Sequence, residues 1–245
     1  MFRSMMSREQ SLWFLNADAH LKISQPYIWY GYSVAVFCIL SALVSGGYYA
    51  PSDAVQGEVF RIMYVHVPLA VLSLAIYVAM GLCCLGVWVW HIKIMDLAAR
   101  SLGCIGLLAT CLVLVTGSIW AKPTWGVWWF WDARLTSECV LCLLYLGYLC
   151  VRFTIWPERM AKSYAALVGV IGLIDVPIVH YSVNWWYTLH QGASVLTVAT
   201  PKIVWPMLWP LLESMFGFAL LFACMFWHTM WVLRRYDLSI SAVPN

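Results

Sequence analysis

Six apolar stretches, each near or above the roughly 20 residues that a helix needs to cross a bilayer, constrain this chain more than any other feature. They run about 27–47, 62–90, 98–119, 133–153, 163–183 and 211–233. Hydrocarbon offers the backbone no hydrogen-bond partner, and the runs are too long for barrel strands, so each is expected to be a helix. The expected fold class is all-α, a polytopic membrane protein with six transmembrane helices in a single domain, 1–245. Composition agrees. Only 10% of the residues are charged and 63% are apolar, whereas a soluble domain carries roughly 25% charged residues. Residues 1–26 hold no apolar run long enough for a signal peptide, so they read as a cytoplasmic tail with the first span directing insertion.

Lys and Arg set the orientation. With the N-terminus inside, the inner segments hold Arg3, Arg8, Lys22, Lys93, Arg100, Arg152, Arg159, Lys162, Arg234 and Arg235, and the outer ones only Arg61, Lys122, Arg134 and Lys202. The positive-inside rule then predicts both termini in the cytoplasm. The inner loops are short and contain no phosphate-binding glycine loop, so no ATPase is expected in this chain. A net charge of +3 gives no nucleic-acid footprint. The nine cysteines lie in apolar runs and do not form a secreted disulfide framework. No Cys-x-x-Cys-His is present, so no covalently attached haem is expected. Cys139 and Cys142 do form a Cys-x-x-Cys, but mid-span they read as small buried residues.

Polar and aromatic residues concentrate in the outer segments, above all 120–134 and 184–210. Trp120, Trp125, Trp128, Trp129 and Trp131 fall within twelve residues, shaped by Pro123 and Gly126. An interfacial aromatic belt accounts for one or two Trp per helix end. Five in one short segment suit a platform for a large planar ligand, because indole faces stack without demanding a hydrogen bond. Asp132 is placed to cap the fourth span, with a possible second task of orienting a Trp indole or Arg134. Glu138 lies about one turn inside that span, where a carboxylate needs a partner or a cavity. Arg134, four residues earlier, is the expected partner.

Of the six histidines, His20, His91 and His228 fall in or near inner segments and read as solvated or interfacial. His66 lies near the outer mouth of the second span, His180 near the outer end of the fifth, and His190 in the last outer segment. Two imidazoles from separate segments can clamp one haem iron. His66 and His190 are the pair so assigned, with His180 as the rival. Arg61, Arg134 and Lys122 lie near the same face in sequence and are candidates for haem propionates; helix-end anchoring is the plainer reading of each. Asp175, two residues before Pro177, either pairs with His180 or is protonated.

Trp125-Gly126-Val127-Trp128-Trp129-Phe130-Trp131-Asp132-Ala133-Arg134-Leu135-Thr136-Ser137-Glu138 resembles the WWD signature of the haem-handling proteins of cytochrome c biogenesis. Tyr64-Val65-His66-Val67-Pro68, the 116–123 run and the 180–192 run are similar to one branch, the haem exporter protein C (CcmC) family. The resemblance spans nearly all of 48–233. It implies non-covalent, transient binding of haem b at the periplasmic face of the bacterial inner membrane, through His66 and His190, with the Trp segment supporting the ring. It further implies transfer to a periplasmic haem chaperone, and partnership with an ABC ATPase, the membrane subunits of the cytochrome c maturation complex and a small single-span subunit. Sister branches typically carry proline after the signature aspartate, where this chain has Ala133. Asp175 departs from the family pattern, which more often has asparagine there.

Any activity of the chain on this reading is haem transfer, with the covalent nucleophile supplied by the partner. The alternative is a membrane cytochrome b-type quinol redox subunit, which needs a second histidine pair at inner depth. A plain scaffold whose Trp segment docks a partner is the third reading.

Overall fold

A computed structural model of the protein describes residues 17–186, 190 and 203–241, with side chains described only between 27 and 240. Much of the tail 1–26 and of the segment 184–210, including Lys202, lies outside these residues. The described chain is all-α and carries six helical segments long and apolar enough to cross a membrane. The helices are α1 (Ala17–Tyr48), α2 (Met63–Trp90), α3 (Lys93–Trp125), α4 (Ala133–Thr154), α5 (Glu158–Ile171), α6 (Asp175–Trp185) and α7 (Trp205–Ser241). A 3-10 turn, Glu58–Ile62, leads into α2, and another, Gly172–Ile174, joins α5 to α6 so that the two make one span. This is a multi-pass membrane protein.

α2 and α3 form the centre, α4 and α5 pack beside them, and α1 lies chiefly on α7. The core threads between them through Leu69, Tyr77, Met80, Ala109, Leu141 and Tyr145. Proline inside a span frees a carbonyl that lipid cannot satisfy. Pro68 in α2 frees that of Tyr64, and Ser214 Oγ of α7 donates to it. The Tyr64 hydroxyl in turn donates to the Met207 carbonyl at 3.3 Å. These two bonds fix the start of α2, and so His66, against α7.

The elements differ from the sequence expectation in one consequential place. Trp120 to Trp125, expected in a loop, continue α3, which ends only at Gly126. Pro123 sits in the last turn, where its missing N–H removes a single helical bond. Gly126 then closes the helix at φ 80°, its N–H donating to the Lys122 carbonyl at 3.0 Å. That left-handed cap is a conformation glycine adopts without penalty. The irregular segment before α4 is therefore short. Similarly, the fifth span begins earlier than expected and is broken before Pro177 by the 3-10 turn, and the sixth extends at both ends.

Candidate haem site

The last turns of α3 present Thr116, Gly117, Trp120 and Trp125 toward the mouth of the bundle, and both candidate histidines meet them. His66 Nδ1 lies 2.9 Å from Thr116 Oγ1, and its ring meets Trp120 edge-on at 5.5 Å. Gly117 makes the approach possible: a Cβ there would stand 3.1 Å from His66 Cε1. Trp120 is held from the far side, its Nε1–H donating to Gln56 Oε1 at 2.9 Å. Asp53 shapes the Gln56 turn, with Oδ1 accepting from the Val55 and Gln56 amides.

His190 has a parallel setting. Its Nδ1 lies 2.9 Å from Asp132 Oδ2, and its ring meets Trp125 edge-on at 4.8 Å. Asp132 is buried and does two things. Oδ1 accepts from the Leu135 amide at 2.8 Å, capping α4 as expected, while Oδ2 holds His190. The second task differs from the expected one, an indole or Arg134. Only the folded chain brings a residue 58 positions away against this carboxylate. Burial holds the His190 imidazole below the ordinary histidine value, against the upward pull of Asp132 and with the help of Arg134. It is therefore neutral at pH 7, the form that binds a metal. Arg134 also lies within electrostatic reach of His66, and the two imidazoles are within such reach of each other.

The remaining Trp residues divide by exposure. Trp128 and Trp131 are exposed, 58% and 74%, too open to be packing elements. Trp129 is half-buried and meets Trp131 edge-on at 5.3 Å. Its Nε1–H is buried without a partner among the described residues, an orphan donor at the same rim. Arg61 is committed elsewhere: Nε donates to Glu58 Oε2 at 2.6 Å and Nη1 to the Gly46 carbonyl. It fastens the first outer segment to α1. Lys122 Nζ donates to the Gly126 carbonyl at 3.0 Å, finishing the α3 cap.

Several expectations are corrected. Arg134 makes no close ion pair with Glu138, though each lies within electrostatic reach of the other; the hydrogen bond to Glu138 Oε1 comes instead from Ser73 Oγ of α2, at 3.1 Å. His180 is exposed and, among the described residues, its ring meets Tyr181 edge-on at 4.7 Å. It bonds neither Asp175, whose Oδ2 is buried without a partner among the described residues, nor the histidine pair. Cys139 and Cys142, expected to be buried, are each half-buried, and Cys142 Sγ lies 3.7 Å from Cys111 Sγ of α3. Thr116, Gly117 and Gln56 escaped sequence reasoning. A hydroxyl three to four residues before the Trp segment was the available signal for Thr116.

Of the inner histidines, His91 and His228 have described side chains, and no contact between these two is seen. His91 ends α2 in the left-handed conformation, and His228 packs among Trp29, Tyr32 and Trp231. The site thus defines a class: a helical membrane protein that sets two imidazoles, each oriented through Nδ1, beside a Trp-lined rim. Comparison with known proteins narrows this. The family model described as heme exporter protein C matches residues 11–237. Heme exporter protein C of Haemophilus influenzae is 45% identical over 180 residues, 74% of this chain and 73% of that one. Its counterpart in Escherichia coli K12 is 44% identical over 176 residues, 71% and 70% of the two chains. A putative cytochrome c biosynthesis ccmC-like mitochondrial protein of Marchantia polymorpha is 45% identical over 151 residues, 62% and 64%. The chain belongs to the heme exporter protein C family.

Proposed function

We propose that this protein binds haem b, transiently and without a covalent bond, at the periplasmic face of the inner membrane and passes it to a periplasmic haem chaperone during cytochrome c maturation. The observation that carries this reading is the matched pair of imidazoles. Each offers Nδ1 to an oxygen, which places the coordinating lone pair on Nε2, the arrangement in which second-sphere acceptors orient metal-binding histidines. His66 and His190 are the axial ligands to iron. Trp120 and Trp125 brace the two rings. Trp128, Trp129 and Trp131 form the open apolar rim against which a porphyrin face lies, with the unpartnered Trp129 N–H available to an acceptor on the ligand. Arg134 supplies positive charge for the propionates, whereas Arg61 is already bound to Glu58 and the Gly46 carbonyl.

Haem in this reading is cargo. Its axial bonds must break for transfer, so the site holds it at the surface and leaves one edge to the incoming chaperone, whose own nucleophile makes the covalent bond. The family's name supports assembly with ABC-type subunits, here an ATPase, the membrane subunits and a small single-span subunit. The bias of Lys and Arg supports cytoplasmic termini and a periplasmic histidine end.

The test is the optical spectrum of the purified protein with His66, His180 and His190 replaced in turn by Ala. Low-spin bis-imidazole bands should survive only the His180 change. Bands that survive loss of His66 or His190 defeat the assignment.

A further inference from the structure

Both imidazoles present Nδ1 to an oxygen, but the two oxygens differ in kind. Behind His190 stands the buried Asp132 carboxylate. Behind His66 stand two neutral oxygens, the Thr116 hydroxyl at 2.9 Å and the Val113 carbonyl, and the hydroxyl is already committed. Thr116 Oγ1 lies 2.7 Å from the Leu112 carbonyl oxygen, which has no proton to give. A hydroxyl has one proton, so Thr116 donates it to Leu112 and accepts from His66. The proton of His66 is thereby assigned to Nδ1 and its lone pair to Nε2. An anionic acceptor behind an imidazole N–H raises the basicity of the opposite nitrogen; a neutral hydroxyl does so far less.

We infer that Thr116 is the positioning residue that sets the His66 tautomer, and that the two histidines are unequal iron ligands, with the iron–His66 bond the weaker. This rests on the haem reading above and deepens it. Gly117 belongs to the same device, since it admits the His66 ring close to α3 and keeps it over Thr116. A haem held this way has one axial bond backed by charge and one backed by a dipole. An incoming ligand displaces the weaker one first, while the other retains the cargo.

Two measurements on the full chain, purified with haem, test this. In the first, His66→Ala and His190→Ala are compared for haem retained after a fixed dialysis. His66→Ala, which keeps the carboxylate-backed ligand, should retain about tenfold more, the scale on which such outer partners act. Equal retention, or more in His190→Ala, overturns the inequality. In the second, Thr116→Val removes the acceptor at nearly constant shape and should raise the reduction potential of the bound haem, while Thr116→Ser restores it. An unchanged potential in Thr116→Val overturns the role of Thr116; if that variant does not fold, the retention comparison still decides the inequality. A wild-type protein without bis-imidazole bands overturns both the haem reading and this inference, whereas a bis-imidazole wild type with equal ligands overturns only the latter.

Discussion

The two ends of the bundle handle buried polar groups in opposite ways. At the end away from His66 and His190, Asp96, Arg100, Arg152, Glu158, Lys162 and Asp237 knit α3, α4, α5 and α7 together. Arg152 grips Asp96 through Nε and Nη2, at 2.9 and 2.8 Å. Arg100 donates to Asp237 at 3.0 Å, and Lys162 pairs with Glu158 at 2.8 Å. These charges answer one another, three cations to three carboxylates, although Arg100 Nε, 3.7 Å from Asp96 Oδ2, makes no hydrogen bond among the described residues. At the His66–His190 end the side chains are oriented rather than charge-paired: each imidazole is engaged at Nδ1 by an oxygen, one indole N–H has no partner among the described residues, and Trp131 is exposed. An interlocked set of opposite charges is a clamp. Imidazoles each oriented through one nitrogen beside exposed indoles are a candidate site.

The sharpest way to break this contrast is to remove a histidine. His66→Ala or His190→Ala should abolish bis-imidazole haem bands while leaving helix content and the thermal midpoint of unfolding almost unchanged. A collapse of the fold instead would make the histidines structural. Arg152→Ala should do the converse, costing about 3–5 kcal/mol because buried Asp96 loses both its hydrogen bonds and keeps only Arg100 and Lys162, at 3.7 and 3.8 Å; thermal unfolding in detergent reads this, and an unaltered midpoint would show the clamp to be idle.

Ser214→Ala should cost less, about 1–3 kcal/mol, by leaving the Tyr64 carbonyl freed at Pro68 without its donor. It should also lower haem occupancy, since the same bond steadies the turn that carries His66. Titration of the loaded protein tests a smaller effect. Because burial lowers the His190 pKa, the unfolded chain takes up its proton near the ordinary value of 6.5 before the folded one does. The stability from neutral His190 is complete above that value and is lost as pH falls through the lowered one, and bound haem should follow the same course. Haem released as pH rises through neutrality would contradict it. Smallest of all, Trp131→Ala should shift stability by no more than about 0.5 kcal/mol, because the ring is 74% exposed, yet reduce haem retention.

The helical spans were legible because hydropathy acts over some twenty residues at once and lipid permits one solution. Asp132 as a helix cap was legible too, since an N-cap is a local bond three residues long. The continuation of α3 through Trp125 was not. Pro123 and Gly126 mark a break in sequence, and only packing of Trp120 against His66 and Gln56 decides that the helix persists past the first of them.

What the amino-acid order determined alone, then, is the solvent each segment requires: six apolar spans, an excess of cations at one set of ends, and aromatic and imidazole groups at the other. What only the tertiary structure decided is which oxygen stands behind which ring. Thr116 meets His66 across 50 residues and Asp132 meets His190 across 58. Hydrogen bonds act over about 3 Å, so partners that far apart in the chain become neighbours only when the helices pack.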